Sequence, residues 1–71
     1  MANNKVDNQI RYLRMLAGMT QKDLADAMHV TQVTVWKWEK GESFPKVRSL
    51  PKLARILNTT VSKLIPDKEV S

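Results

Sequence analysis

The stretch TQKDLADAMHVTQVTVWKWEKG, residues 20–41, decides how this chain folds. Thr20 offers a hydroxyl to a free backbone N–H of a following helix, and Asp23 stands three residues on, where its carboxylate reaches back to complete a capping box. Met19 before the cap and Leu24 at the fourth helical position make a hydrophobic staple. Leu24, Ala25 and Met28 then share one inward face over about two turns. The pattern breaks at His29-Val30 and restarts at Thr31, a second N-cap with its own staple of Val30 and Val35. The new helix runs from Gln32 to Lys40 and stops at Gly41. Two short helices, separately capped and joined by a tight turn, form a helix-turn-helix unit.

The flanks read as further helices. Towards the amino terminus, Val6, Ile10, Leu13 and Ala17 fall on one stripe of an amphipathic helix, which Gly18 ends in the left-handed conformation. Towards the carboxy terminus, residues 42–46 form a loop with Phe44 packed beneath it. Leu50, Leu53, Ala54 and Leu57 make a fourth helical stripe with Ile56 at its edge. Pro51 lacks a backbone donor and belongs in a first turn, so the regular helix starts near Ser49 or Leu50, after an irregular Val47-Arg48. Asn58 can close that helix in the left-handed conformation. Thr60 caps a last short helix carrying Val61, Leu64 and Ile65, which Pro66 stops. The expected architecture is an all-α, compact five-helix bundle over residues 6–66, with a flexible arm at 1–5 and a tail at 67–71. No internal repeat or low-complexity segment is visible.

Composition narrows the function. A chain of 71 residues makes one domain, and a core that small buries only about 60% of the surface exposed on unfolding. Cysteine is absent, which excludes disulfides and thiolate metal sites and fits a reducing cytosol. No apolar run approaches the roughly 18–20 residues of a membrane span, and no apolar segment follows Met1–Lys5 as it would in a signal peptide. A cytoplasmic protein is expected. Twelve basic against seven acidic residues leave a net charge of +5, which suits a polyanion such as nucleic acid and serves equally as solubilising charge. His29 is the sole histidine, and no ligand spacing for a metal accompanies it. No nucleophile elbow, phosphate-binding glycine loop or paired catalytic carboxylates can be read. Neither an enzyme nor a cofactor is expected, and His29 reads as a turn residue.

In order and spacing, several segments resemble the phage repressor and Cro (XRE-type) family of helix-turn-helix domains. They are Ile10-Arg11-Tyr12-Leu13-Arg14, Gly18 to Ala25, Val30 to Val35, Trp38-Glu39-Lys40-Gly41, Pro45, Leu53-Ala54 and Leu64. The resemblance spans roughly residues 8–66. It implies a lambda-repressor-like domain of five helices whose third helix enters the DNA major groove, usually as a homodimer on a near-palindromic operator. Three positions depart from the family pattern. His29 stands where glycine is common and must either tolerate a left-handed backbone or reshape the turn. Trp36 replaces a small polar residue, and Pro51 comes early in the fourth helix.

At about 100° per residue the third helix sorts into two faces. Thr34, Val35 and Trp38 point towards the core; Gln32, Val33, Trp36, Lys37 and Lys40 point away from it. Gln32 can pair bidentately with adenine, Val33 can pack on a thymine methyl, and Lys37 can donate to guanine O6 and N7. Phosphates are expected at the first amides of the second helix with the Gln21 side chain, and at Thr31. Lys40, Lys46 and Arg48 are further phosphate candidates that read equally as solvated charges. Trp36 can lie against sugars and thymine methyls, anchor another protein, or fold onto the stems of Lys37 and Lys40; Met15 adds a second exposed apolar group. Val61, Ile65 and Val70 offer apolar surface for a weak homodimer, although Val61 and Ile65 can equally complete the monomer core. Two functions are therefore carried forward. One is a sequence-specific, double-stranded-DNA-binding transcription regulator. The other is a protein-binding helix-turn-helix module, such as an antitoxin or a modulator of a partner repressor.

Overall fold

The structure, a computed structural model, describes residues 5–65. The expectations placed on residues 1–4, Pro66, Val70 and the tail lie outside the described residues, as does the side chain of Val6. Among the described residues five α-helices follow one another: α1 (Lys5–Leu16), α2 (Gln21–Met28), α3 (Gln32–Lys40), α4 (Leu50–Ile56) and α5 (Val61–Leu64), with a 3-10 turn at Val47–Ser49 leading into α4. No strand occurs among the described residues. No helix there is long and apolar enough to cross a membrane.

The local chemistry of the helix ends explains these boundaries. Thr20 Oγ1 accepts the Asp23 N–H at 2.9 Å, and Asp23 Oδ2 accepts the Thr20 N–H at 2.9 Å, closing the capping box at the head of α2. Thr31 Oγ1 accepts the Thr34 N–H at 3.1 Å at the head of α3. His29 ends α2 at φ 60°, ψ 42°, taking the left-handed backbone that glycine adopts most readily. Its neighbour Val30 donates to the Ala25 carbonyl at 3.0 Å, so carbonyls left open at the helix end are satisfied within the turn. Asn58 takes the same left-handed backbone after α4, at φ 59°. Pro51 sits in the first turn of α4, where its missing donor costs no helical bond.

The core gathers Ile10 from α1, Leu24 and Met28 from α2, Val35 and Trp38 from α3, Leu50 and Leu53 from α4, Leu57 just beyond it, and Leu64 from α5. Helix α3 packs against both α1 and α2, while α4 joins α2 to α5. Three expectations need correction. Ala17 is exposed, because α1 ends at Leu16 and the turn carries Ala17 off the apolar stripe. Phe44 is not packed beneath its loop but remains 40% exposed; the neighbouring Pro45 is buried in its place. Thr60 precedes α5 but its hydroxyl makes no cap bond and instead meets Ser62 Oγ at 3.2 Å.

Candidate nucleic-acid interface

Two apolar anchors fix the attitude of α3. Val35 and Trp38 are buried against α1 and α2, and Thr34 is half-buried beside them. Gln32, Val33, Trp36, Lys37 and Lys40 all lie exposed. The helix therefore projects one amide, two apolar groups and two ammonium groups outward from a face that cannot roll without exposing Trp38. Lys40 Nζ lies 5.5 Å from the centroid of the Trp36 ring, a cation–π distance. The expected packing on the stems of both Lys37 and Lys40 is thus seen only as this contact with the Lys40 ammonium, and the ring remains 42% exposed.

A polar relay runs beneath this face. Arg14 on α1 donates through Nε to Glu39 Oε2 at 2.5 Å and through Nη2 to Glu39 Oε1 at 3.2 Å. Its Nη1 donates to the Met19 carbonyl at 2.8 Å, tying α1 to the turn before α2. Gln21, the first residue of α2, donates through Nε2 to Glu39 Oε1 at 3.0 Å. Gln21 Oε1 in turn accepts from Gln32 Nε2 at 3.4 Å, a long contact at the first residue of α3. Gln21 is thus half-buried and already engaged at both ends, with one Nε2 hydrogen left for an outside acceptor.

Sequence reasoning did not assign a role to Glu39 or Arg14. The signal was present on α3: Val35, Trp38 and Glu39 share the i, i+3, i+4 spacing of a buried face, so the carboxylate had to lie among core residues. A charge there requires a partner, but Arg14 is 25 residues away in the chain, and several other cations competed for the role on paper.

The expected phosphate residues Thr31, Lys40, Lys46 and Arg48 are all exposed. Thr31 also uses its hydroxyl to cap α3 and lies 3.0 Å from Thr34 Oγ1. Lys46 and Arg48 sit in the loop and 3-10 turn that follow α3. At the head of α2, the Thr20 backbone N–H, and after it the Thr20 hydroxyl, hold the Asp23 carboxyl below the usual carboxylate range. Far from α3 in the chain, Val61 is half-buried against the core, whereas Ile65 is 47% exposed. Met15 is exposed as expected, in company with Tyr12 and Leu16 on the same helix. No group of three or more metal-ligating side chains occurs among the described residues.

Comparison with known proteins places this geometry. A family described as helix-turn-helix matches residues 10–64. The chain is 36% identical over 55 residues to the HTH-type transcriptional regulator DicA of Escherichia coli, an alignment covering 78% of this chain and 41% of DicA. It is 30% identical over 64 residues to the cryptic phage CTXphi transcriptional repressor RstR of Vibrio cholerae, covering 90% of this chain and 58% of RstR. The chain thus spans roughly half the length of these curated relatives. Among solved structures, the restriction-modification controller protein C.AhdI from Aeromonas hydrophila superposes with a TM-score of 0.77 at 26% identity. That match covers 87% of this chain and 94% of the controller.

Proposed function

The chain belongs to the helix-turn-helix family, and on that footing we propose that it is a sequence-specific transcription regulator, of the repressor or Cro kind, acting in the cytoplasm on double-stranded DNA. The observation that carries this reading is the division of α3. Val35 and Trp38 lock the helix into the core, while Gln32, Val33, Trp36, Lys37 and Lys40 stand outward together. Placed in a major groove, that face reads bases through Gln32 on adenine, Val33 and Trp36 on thymine methyls or sugars, and Lys37 on guanine. Phosphates are held by the first amides of α2 with the remaining Gln21 Nε2 hydrogen, and by Thr31, Lys40, Lys46 and Arg48. One copy of α3 reads few base pairs, so the functional unit is a weak homodimer on a near-palindromic operator. The 47% exposure of Ile65 supports a contact there, whereas Val61 packs against the core of its own chain and Val70 lies outside the described residues.

Fluorescence anisotropy with labelled duplexes tiled across the DNA flanking the chain's own gene tests this. One segment should bind about 10³-fold or more tighter than a scrambled duplex of equal length at the same salt concentration. Equal affinity for every duplex would refute sequence-specific regulation. A second reading is favoured by the exposure that Trp36 and Val33 retain, at 42% and 60%. It makes α3 a docking face for a partner protein, as in an antitoxin or a modulator of another repressor. A partner that co-purifies with the chain and is lost on Trp36→Ser would support it.

A further inference from the structure

Helix α1 carries apolar side chains on both of its sides. One side, with Ile10, Leu13 and Arg14, packs towards α3 and α5. The other bears Tyr12, Met15 and Leu16, which remain 59%, 57% and 67% exposed. Their i, i+3, i+4 spacing sets them together as one stripe over a single turn. At these exposures the three side chains bare on the order of 400 Å², the size of patch that is often functional on a monomer. Apolar residues scattered singly over a surface are ordinary, but a contiguous stripe on the outer side of a helix marks a contact. We propose that this stripe joins two copies of the chain bound at neighbouring DNA sites and makes their binding cooperative. The proposal rests on the DNA-binding reading above.

A second copy suits the stripe because the stripe complements itself. With two α1 helices laid antiparallel across a two-fold axis, Tyr12 of each copy meets Leu16 of the other, and the flexible Met15 side chains fill the space at the axis. Arg11 is the sole exposed charge among the described side chains of α1, and the same axis sets it against the other copy's exposed Ala17, not against a second Arg11. One off-centre cation offers little to select a charged partner of another kind. The area sets the strength. Stable interfaces bury about 800 Å² on each partner, about twice what the stripe supplies, so the contact is too weak to hold free copies together. On DNA the copies are held close, at effective concentrations on the order of millimolar, where a weak contact suffices. The stripe stays accessible there. It lies on the side of α1 turned from α3, while Gln32, Val33, Trp36, Lys37 and Lys40 project from the side of α3 turned from α1 and α2.

The test places two copies of the operator found with the tiled duplexes on one DNA, their centres moved apart in single-base-pair steps over a full helical turn of about 10.5 bp. Gel-shift titration then resolves singly and doubly occupied DNA. At one phase of the helix the second operator should fill about tenfold more tightly than the first, and half a turn away the gain should vanish. The double variant Tyr12→Gln/Leu16→Gln, which keeps the charge of the chain, should lose the gain at every spacing. Its affinity for a single operator should stay within about twofold of the wild type, as for other surface changes. Met15→Gln should weaken the gain in the same way. A merely structural role would lower single-operator binding and leave the ratio of the two sites unmoved. If the double variant does not fold, Met15→Gln decides alone. A wild type without cooperativity at any spacing overturns the proposal and leaves the stripe to a partner of another kind; cooperativity that survives in the folded double variant overturns it equally. If no single operator is bound, the DNA-binding reading itself falls and the proposal falls with it.

Discussion

Replacing Arg14 with methionine removes the guanidinium while keeping most of the aliphatic stem, and it leaves Glu39 in the core beneath α3. The Arg14 side chain is 11% exposed and that of Glu39 4%, so solvent screening gives little relief. Removing one partner of a buried ion pair costs about 3–5 kcal/mol, because the other charge stays behind uncompensated. Glu39 retains the bond from Gln21 Nε2, which places the loss near the low end, about 3 kcal/mol. The Met19 carbonyl also loses its donor, adding about 1 kcal/mol. A domain of this length holds roughly 4–11 kcal/mol in total, so a loss of this size takes a large share of it. At about 4–8 °C per kcal/mol, the melting temperature should drop by roughly 15–30 °C. Urea titration followed by far-UV circular dichroism measures the loss directly. The double variant Arg14→Met/Glu39→Gln should recover most of it, because no charge is then left buried. A single-variant loss below about 1 kcal/mol, the range of exposed pairs, would show that Glu39 reaches water and would refute the reasoning.

Four further outcomes can be checked. Gln32→Ala should weaken binding to the cognate site by about 1–3 kcal/mol and relax one base position, whereas Lys40→Ala should weaken all duplexes alike and reduce the salt slope by about 0.9; anisotropy across a salt series separates the two. Trp36→Ser should change stability by no more than about 1 kcal/mol, since Trp36 lies outside the core cluster and its cation–π contact with Lys40 is at the surface, while altering DNA affinity by about 1–2 kcal/mol. A larger fall in melting temperature would assign Trp36 to the core. Asp23 has its carboxyl pKa depressed by Thr20, so its contribution is present in full above the unfolded value near 3.9 and is lost as pH falls through the folded value. Acid melts of Asp23→Asn should accordingly show a shallower decline below about pH 4 than the wild type; parallel curves would contradict the capping-box account. Ile65→Asp should leave the exposed site folded but abolish self-association in sedimentation equilibrium, and a wild type that is monomeric at high concentration, both free and on DNA, would exclude the dimer.

Most of the fold was legible in the sequence because it is written in short-range terms. The caps Thr20 and Thr31 act on amides three residues away, and the left-handed stops at Gly18, His29 and Asn58 concern one residue's own backbone. The inward faces of α2 and α3 follow from helical period alone. So does the outward set Gln32, Val33, Trp36, Lys37 and Lys40, and hence the candidate interface. Where local pattern competed with a neighbour, it failed. Ala17 continued the apolar period but lay past the helix end, and Phe44, the larger group, stayed out while Pro45 went in. The relay from Arg14 through Glu39 and Gln21 to Gln32 was decided by tertiary structure alone. Its members come from three helices, and a charge's partner depends on which side chains the packed core brings within about 4 Å, not on their order in the chain. Periodicity requires that the carboxylate of α3 be buried; only the crossing of α1 over α3 brings Arg14 to it.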